Sequence, residues 1–370
     1  MMRELIIDLG AIVHNYQSMK SRFGTKVLAV VKADAYGHGM VEVARALEAA
    51  AADCFGTADV QEALLLRTAG IKTDILAWLH DPQDDFVEAV ARNVSLGIAN
   101  IEQLGRAQRA AEVSGQIAKL HLKIDTGLGR NGSTQAEWGN LLQAAALAES
   151  TGAVKVVGIF SHLSGTSEAE DLRQIELFDS ALAQAKATGI SADLIHLTAS
   201  DGSLAYPQAH YNMVRVGIAL YGLDPFSAHR ASEYGLTPAM TAKAQVAQVK
   251  RVPAGQGVSY GYLHTTTAET TLALVPVGYA EGLPRNATGK ASVTINGKPY
   301  KILSRVAMDQ FVLDVGNDDV KVGDQVVLFG DPAAGAPSVD DLADACETIN
   351  YEIVTRMGGR FKRVYLGAGA

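Results

Sequence analysis

A lysine that ends an apolar run is the first residue of this chain placed for chemistry. Residues 27–31 are apolar and mostly β-branched, the run stops at Lys32, and Ala-Asp-Ala-Tyr-Gly-His-Gly follows. A buried parallel strand delivers one side chain to the mouth of a pocket in this way. An amine held there is partly desolvated, which favours its neutral, nucleophilic form. Tyr36 adds a hydroxyl, and Gly37 and Gly39 let backbone approach a ligand closely. Taken alone, the same pattern describes a strand finished by a solvated lysine. Further groups able to act as bases, hydrogen-bond donors or anion clamps stand at or just beyond the ends of later apolar runs: Lys123, Asp125, His162, Ser200 and Arg215.

Those runs belong to a repeat. From Lys26 to about Gly222 a short apolar segment, a polar turn and an amphipathic helix alternate, with strands expected at 27–31, 54–57, 75–79, 95–99, 120–124, 154–160, 194–197 and 213–216. Met40, Val43, Ala44 and Leu47 share one helical face. Gly70 stands as a C′ glycine after a helix over 61–69, and Gly189 closes a helix over 172–186. Thr134 and Glu137 form a capping-box pattern opening a helix over 137–150. Short connections between alternating strands and helices dictate parallel pairing with right-handed crossovers. Eight units at a period of roughly 25 residues predict a (β/α)8 TIM barrel, whose strand ends meet around one mouth. No Gly-x-Gly-x-x-Gly follows a strand, which removes the usual dinucleotide fingerprint.

After Gly222 the pattern changes. Residues 223–238 carry two prolines and no clean period, and we read them as the junction between a barrel domain, 1–225, and a β-rich domain, 226–370. Val293 and Ile295 alternate into Asn296-Gly297, and Tyr300 and Ile302 alternate out, a strong hairpin signal. Runs at 311–315 and 325–329 continue the strands, with Gly316 and Gly323 as turns, and one short helix is expected near 339–347. A strand over 4–9 precedes the barrel and is free to pair with the β domain.

The chain has 370 residues, 48% hydrophobic and 19% charged, which suits a large folded core. Its net charge of −8 argues against nucleic acid or an anionic membrane as the main partner. No apolar run reaches the roughly 18 residues of a membrane span. The two cysteines, Cys54 and Cys346, cannot make a disulfide framework and point to a reducing cytoplasm.

Residues 30–39, Val-Val-Lys-Ala-Asp-Ala-Tyr-Gly-His-Gly, resemble the pyridoxal-phosphate lysine motif of alanine racemases. The resemblance extends over nearly the whole chain. It implies that Lys32 binds the cofactor's aldehyde and moves a proton on one face of the substrate. His121-Leu-Lys-Ile-Asp-Thr-Gly-Leu-Gly-Arg130 is similar to the segment whose arginine grips the substrate carboxylate, and Lys123 would hold Arg130, in many relatives as a carbamate. Around 160–163 and 193–200 the likeness makes His162 and His196 supports for Arg215, with His162 also helping to tune the catalytic tyrosine, and gives the Ser200 hydroxyl to the cofactor phosphate. Ala199 stands where asparagine is usual. Residues 214–222 place Arg215 against the cofactor's pyridine nitrogen, where a carboxylate is commoner in other pyridoxal enzymes. A guanidinium donates there without surrendering its proton, so the ring stays a weaker sink and transamination is suppressed. Gly217 and Ile218 would offer backbone N–H groups to the phosphate, with the hydroxyls of Tyr36 and Tyr351. Val216 replaces a usual proline.

In the β domain, Gly257-Val-Ser-Tyr-Gly261 resembles the segment carrying the second base, Tyr260. Val306-Ala-Met-Asp-Gln310 resembles a turn whose Met308 N–H shares the carboxylate with Arg130. Asp309 supports it, and Ala307 stands where cysteine is common. Tyr279 would narrow the entrance. The resemblance further implies a homodimer in which Tyr260 and Met308 come from the partner, no metal, and interconversion of L-alanine and D-alanine to supply peptidoglycan. A serine or broad-specificity racemase, a decarboxylase, a non-catalytic pyridoxal-phosphate carrier and a metal-dependent barrel hydrolase are the alternatives. Arg215 weighs against a decarboxylase and the β domain against a carrier.

Overall fold

The computed structural model describes residues 1–228 and 231–367. They form two compact units, one of Tyr16–Ala35 and Val43–Leu220, the other of Met1–Asn15, Tyr36–Glu42 and Tyr221 onward. Strand β1, Arg3–Asp8, belongs to the second unit.

Eight parallel strands make the first unit: β2 Lys26–Val30, β3 Cys54–Thr57, β4 Ile75–Ala77, β5 Val94–Ile98, β6 Ala118–Lys123, β7 Val154–Phe160, β8 Leu194–His196 and β9 Met213–Val216. Their order, β8-β7-β6-β5-β4-β3-β2-β9, is that of a barrel. The last edge closes through side chains and loops. Asn212 Oδ1 accepts the Ile195 N–H at 2.7 Å, and Arg215 N–H donates to the Thr198 carbonyl at 3.0 Å. β3, β4 and β5 are buried along their whole length, as strands covered on both faces must be. The helical face predicted around Met40 is real: Val43, Ala44 and Leu47 are fully buried.

Three local expectations shift. β4 ends at Ala77 rather than residue 79, because the N–H groups of Trp78 and Leu79 both turn to the Ala58 carbonyl. The helix expected from 137 begins at Gln135, and its box is half made. Thr134 Oγ1 accepts the Glu137 N–H, while the Glu137 carboxylate takes the Thr134 hydroxyl instead of its backbone N–H. A helix over Leu9–Phe23 precedes the barrel strands and was not anticipated.

The second unit is mostly β. β10 Met240–Gln245, β11 Gln248–Val252, β12 Gly257–Val258, β13 His264–Thr265, β14 Thr270–Val275, β15 Ser292–Ile295, β16 Lys298–Lys301, β17 Phe311–Gly316, β18 Gln325–Phe329 and β19 Lys362–Leu366 follow in order. Six of its strands pair as β16-β15-β18-β10-β1-β19, with β1 antiparallel to β10 and parallel to β19. Alternation drives this: Leu5 and Ile7 of β1 are fully buried, as are Ala242 of β10 and Val326 of β18. The β15–β16 hairpin turns at Asn296 and Gly297, both at positive φ as a two-residue turn requires. β11-β14-β17 make a second sheet, and β12 pairs with β13. Two short helices occur at the C-terminal end, Val339–Ala345 and Asn350–Arg356, where one was expected. The second carries Tyr351.

One barrel position is set by close approach rather than by backbone conformation. A Cβ on Gly158 of β7 would lie 2.0 Å from Nδ1 of His121 on β6. Gly158→Ala is therefore expected to destabilise the chain by about 1–3 kcal/mol in urea denaturation. Adding His121→Ala to the same chain should recover part of that loss.

Candidate active site

At the C-terminal ends of the barrel strands the structure gathers Lys32, Lys123, Arg130, His162, His196, Ser200 and Arg215, all within one unit. Arg215, on β9 and 95% buried, is the most constrained of them. Its Nη1 donates to the His196 carbonyl at 3.1 Å and to His196 Nδ1 at 3.0 Å. Its Nη2 donates to the Ser161 and Leu197 carbonyls, each at 2.8 Å, and to His162 Nδ1 at 2.9 Å. Burial pulls the guanidinium pKa down from its usual range, with Arg130 adding to the effect. Five acceptors nevertheless keep it charged at neutral pH.

A guanidinium can only donate, so these bonds assign histidine tautomers by elimination. Nδ1 of His162 and of His196 must be unprotonated. His196 therefore carries its proton on Nε2 and donates it to Nδ1 of His121, 2.9 Å away. Burial, then Arg215, hold His121 down to about 3. The same two causes, in the same order, keep His162 and His196 well below the ordinary histidine range. All three imidazoles are neutral at physiological pH. Phe160, at the end of β7, stacks on His196 with centroids 4.9 Å apart, and its ring faces both Lys123 and Arg215 at 5.3 and 5.6 Å.

Lys123 is buried, and its pKa is lowered to about 7 by desolvation first, then by Arg215 and Arg130. Beyond it the chain makes a glycine-rich loop. Asp125 Oδ1 accepts the N–H groups of Gly127 and Gly129 at 2.9 and 3.1 Å, and Ser133 N–H returns to the Lys123 carbonyl at 2.8 Å. The loop presents Arg130 exposed, and among the described residues no carboxylate pairs with it.

Lys32 lies just past β2, half-buried. Desolvation lowers its pKa, Arg130 and Arg215 lower it further, and Glu62 opposes them. The chain then makes a left-handed turn: Ala33, Asp34, Ala35 and Tyr36 have φ between 52° and 54°. None is glycine, so each costs about 1–2 kcal/mol relative to the right-handed form. Strain of that kind persists only where the surroundings enforce it.

Ser200 is buried and its Oγ accepts the Gly217 N–H at 3.0 Å, so Ser200 and the Gly217-Ile218 backbone are neighbours. Ala199, in the position before it, provides no side-chain cap to the short helix Ser200–Ala205. In the second unit, the Tyr36 ring lies 4.9 Å from that of Tyr221 and 6.2 Å from that of Tyr351, and burial raises its phenol pKa strongly. Tyr260 follows β12 on a turn with positive φ at Ser259, Gly261 and Tyr262, and is 71% exposed. Tyr279 and Met308 sit on adjoining turns, since Tyr279 N–H donates to the Ala307 carbonyl and Ala280 N–H to that of Met308. Arg360 ties these turns together, pairing with Asp309 at 2.8 Å and with the fully buried Glu281.

Three residues were missed by the sequence reading. His121 lies two positions before Lys123 on one strand, so strand periodicity puts both on the same face. Trp78 fills space that a Cβ on Gly56 or Gly97 would occupy, but its role depends on two distant glycines. Glu62 reaches the Lys32 turn, and nothing local announces it.

Nearly the whole chain is similar to one family of known proteins. The family model described as Alanine racemase, N-terminal domain, matches residues 7–225, and Alanine racemase, C-terminal domain, matches residues 239–365. A Beutenbergia cavernae alanine racemase is 46% identical over 367 residues, covering 98% of this chain and 97% of that one. The crystal structure of the alanine racemase from Streptomyces lavendulae, a D-cycloserine producer, aligns with a TM-score of 0.96 at 42% identity, over 99% of this chain and 97% of that one. The Streptomyces coelicolor enzyme gives 0.96 at 41% identity over 99% and 98%.

The depressed lysine gives the fold a pH signature. Folded Lys123 releases its proton near pH 7, whereas an unfolded lysine does so near pH 10.4. Between those values the unfolded chain binds the extra proton, so stability rises with pH. With carbon dioxide excluded, so that Lys123 is a free amine, urea unfolding from about pH 7 to about pH 10 should show the wild type gaining on Lys123→Met by at most about 1.4 kcal/mol per pH unit. Parallel curves would contradict the assignment.

Proposed function

The chain belongs to the alanine racemase family, and from that membership we propose that the strand-end residues of its barrel, completed by the β unit of a second copy, form the active site. Its reaction is the interconversion of L-alanine and D-alanine. The observation that carries the site assignment is geometric: one unit gathers Lys32, Lys123, Arg130, His162 and Arg215 at its strand ends, with Arg215 bonded to both His162 and His196.

The donor set suits pyridoxal 5′-phosphate. Lys32 offers an amine with a lowered pKa, and Ser200, Gly217 and Ile218 offer a hydroxyl and backbone N–H groups to a phosphate. Trp78 supplies an apolar wall. Arg215 makes its five bonds through Nη1 and Nη2, which leaves Nε–H as the donor for the ring nitrogen. When bound, the cofactor supplies an electron sink that acidifies the substrate's α-hydrogen.

The rest is the protein's own work. Arg130 grips the substrate carboxylate through its planar fork, aided by the N–H of the partner subunit's Met308. Lys32 Nζ moves the α-proton on one face, and the phenol of the partner subunit's Tyr260 serves the other. His162, protonated on Nε2, donates toward that phenol and eases its ionisation. Asp309 and Arg360 hold the Met308 turn, Tyr279 narrows the approach, and His196 keeps Arg215 fixed. Lys123, its pKa lowered by burial, more readily takes the neutral form that adds carbon dioxide, and the resulting carbamate is an anion that steadies Arg130.

Exposure supports the shared site. Tyr260, Tyr262, Leu263 and Met308 are each more than half exposed on one chain, a concentration of apolar surface that a second copy would cover. Free, buried Cys54 and Cys346 suit a reducing cytoplasm, and among the described residues no helix is long and apolar enough to cross a membrane. We assign the product to peptidoglycan assembly.

Incubation with L-alanine in heavy water should yield D-alanine deuterated at the α-carbon. Exchange without inversion would mean that Lys32 works and the opposing base does not. Exchange with serine or a basic amino acid but not alanine would favour a broad-specificity enzyme, and none at all would favour a carrier. Lys32→Ala and Tyr260→Phe should each lower kcat by about 10²–10⁴. Mixing the two variants should restore about one quarter of wild-type activity, because half the dimers are mixed and each holds one intact site. Absence of any rescue would count against the shared site.

A further inference from the structure

We propose that Glu62 is a positioning residue for Lys32: its carboxylate pins the left-handed turn that aims the lysine and keeps a negative charge near the amine. The inference rests on Lys32 being the reactive amine.

Glu62 is the third residue of the helix Val60–Thr68, whose N-cap is Asp59. A glutamate there ordinarily reaches back to the N–H of the cap residue itself. Glu62 does something else. Its Oε2 accepts the Ala58 N–H at 2.8 Å, and its Oε1 crosses to the neighbouring strand end and accepts the Ala33 N–H at 2.7 Å. Asp59 Oδ1 meanwhile accepts the Glu62 N–H at 2.9 Å, which fixes the direction from which the glutamate reaches. Ala33 directly follows Lys32 and opens the run of four positive-φ residues.

The backbone holds the far side of that turn, with Ala35 N–H donating to the Val31 carbonyl and Val31 N–H to that of Gly56. The near side is held by Glu62. One carboxylate thus joins the loop after β2 to the loop after β3 through two charge-assisted bonds. Backbone that no local propensity would keep left-handed is clamped on both sides of the residue that follows the lysine.

Electrostatics point the same way. The charged groups acting on Lys32 are Glu62, Arg130 and Arg215, and Lys32 in turn acts on Lys123 and His162. Among the described residues Glu62 is the only anion acting on Lys32, opposing the effects of burial and of both arginines. Without it the amine would lose its proton more readily and lose its mechanical anchor together.

Two variants separate these effects in the full-length chain freed of any cofactor. Glu62→Gln keeps the length and removes the charge. Glu62→Asp keeps the charge but is one methylene too short to span both amides. Acetic anhydride labelling of Lys32 across pH, read on its peptide by mass spectrometry, should show the midpoint falling by roughly half a unit or more in Glu62→Gln and less in Glu62→Asp. Hydrogen exchange at the Ala33 or Ala58 amide should accelerate about tenfold or more in Glu62→Asp. An unmoved midpoint in Glu62→Gln overturns the proposal, and so does full protection of both amides in Glu62→Asp, which decides the matter if the first variant does not fold. Failure of the wild type to racemise alanine would instead overturn the functional reading, since neither readout involves turnover.

Discussion

Positive charge crowded into a poorly solvated space is the constraint on which this protein depends. Lys32, Lys123, Arg130 and Arg215 come from three strand ends, those of β2, β6 and β9, and each lysine feels both arginines. In water such a group would simply repel. Inside a barrel, where the field is less screened, the repulsion becomes useful because the four cations differ in what they can give up. Guanidinium holds its proton more tightly than an ammonium does, so the lysines are the groups that yield first. The three neutral histidines complete the logic. They accept from Arg215 without adding charge, which carboxylates in the same positions could not do.

The supports of the second unit follow another principle. There a fully buried glutamate, Glu281, takes the Gly278 N–H at 2.9 Å and pairs with Arg360, which also holds Asp309. Two turns bearing exposed side chains, Tyr279 and Met308, thereby gain a rigid base while their own tips stay in solvent. The barrel controls protonation by packing cations, and the β unit controls position by tying its turns to a buried carboxylate through a half-exposed arginine.

Much of this was legible in the sequence. The eight barrel strands were read from short apolar runs, and most boundaries moved by one or two residues. β4 moved because two of its N–H groups find a carbonyl outside the ladder, a tertiary choice invisible to periodicity. The Asn296-Gly297 hairpin was legible because two successive residues must take positive φ there. The left-handed run from Ala33 to Tyr36 was not, since alanine and tyrosine carry no preference for it. Lys32, Arg130 and Arg215 were found through motifs that resemble a known family. His121 and Glu62 were not, because each acts on a residue distant in the chain, and only the fold brings them together.

The placement of β1 has a consequence for how the chain comes into being. Its neighbours in the sheet are β10 and β19, so a strand made before the barrel pairs in parallel with one made well after it. Residues 16–220 contain every strand of the barrel sheet and can pair as soon as they leave the ribosome. The β1 segment cannot. Until residues 362–366 are made, one edge of a strand carrying Leu5 and Ile7 lacks its partner, and the wait spans the making of the whole barrel. A chain stopped before residue 362 would thus release a finished barrel preceded by a sticky apolar strand, the form of nascent product that chaperones exist to hold.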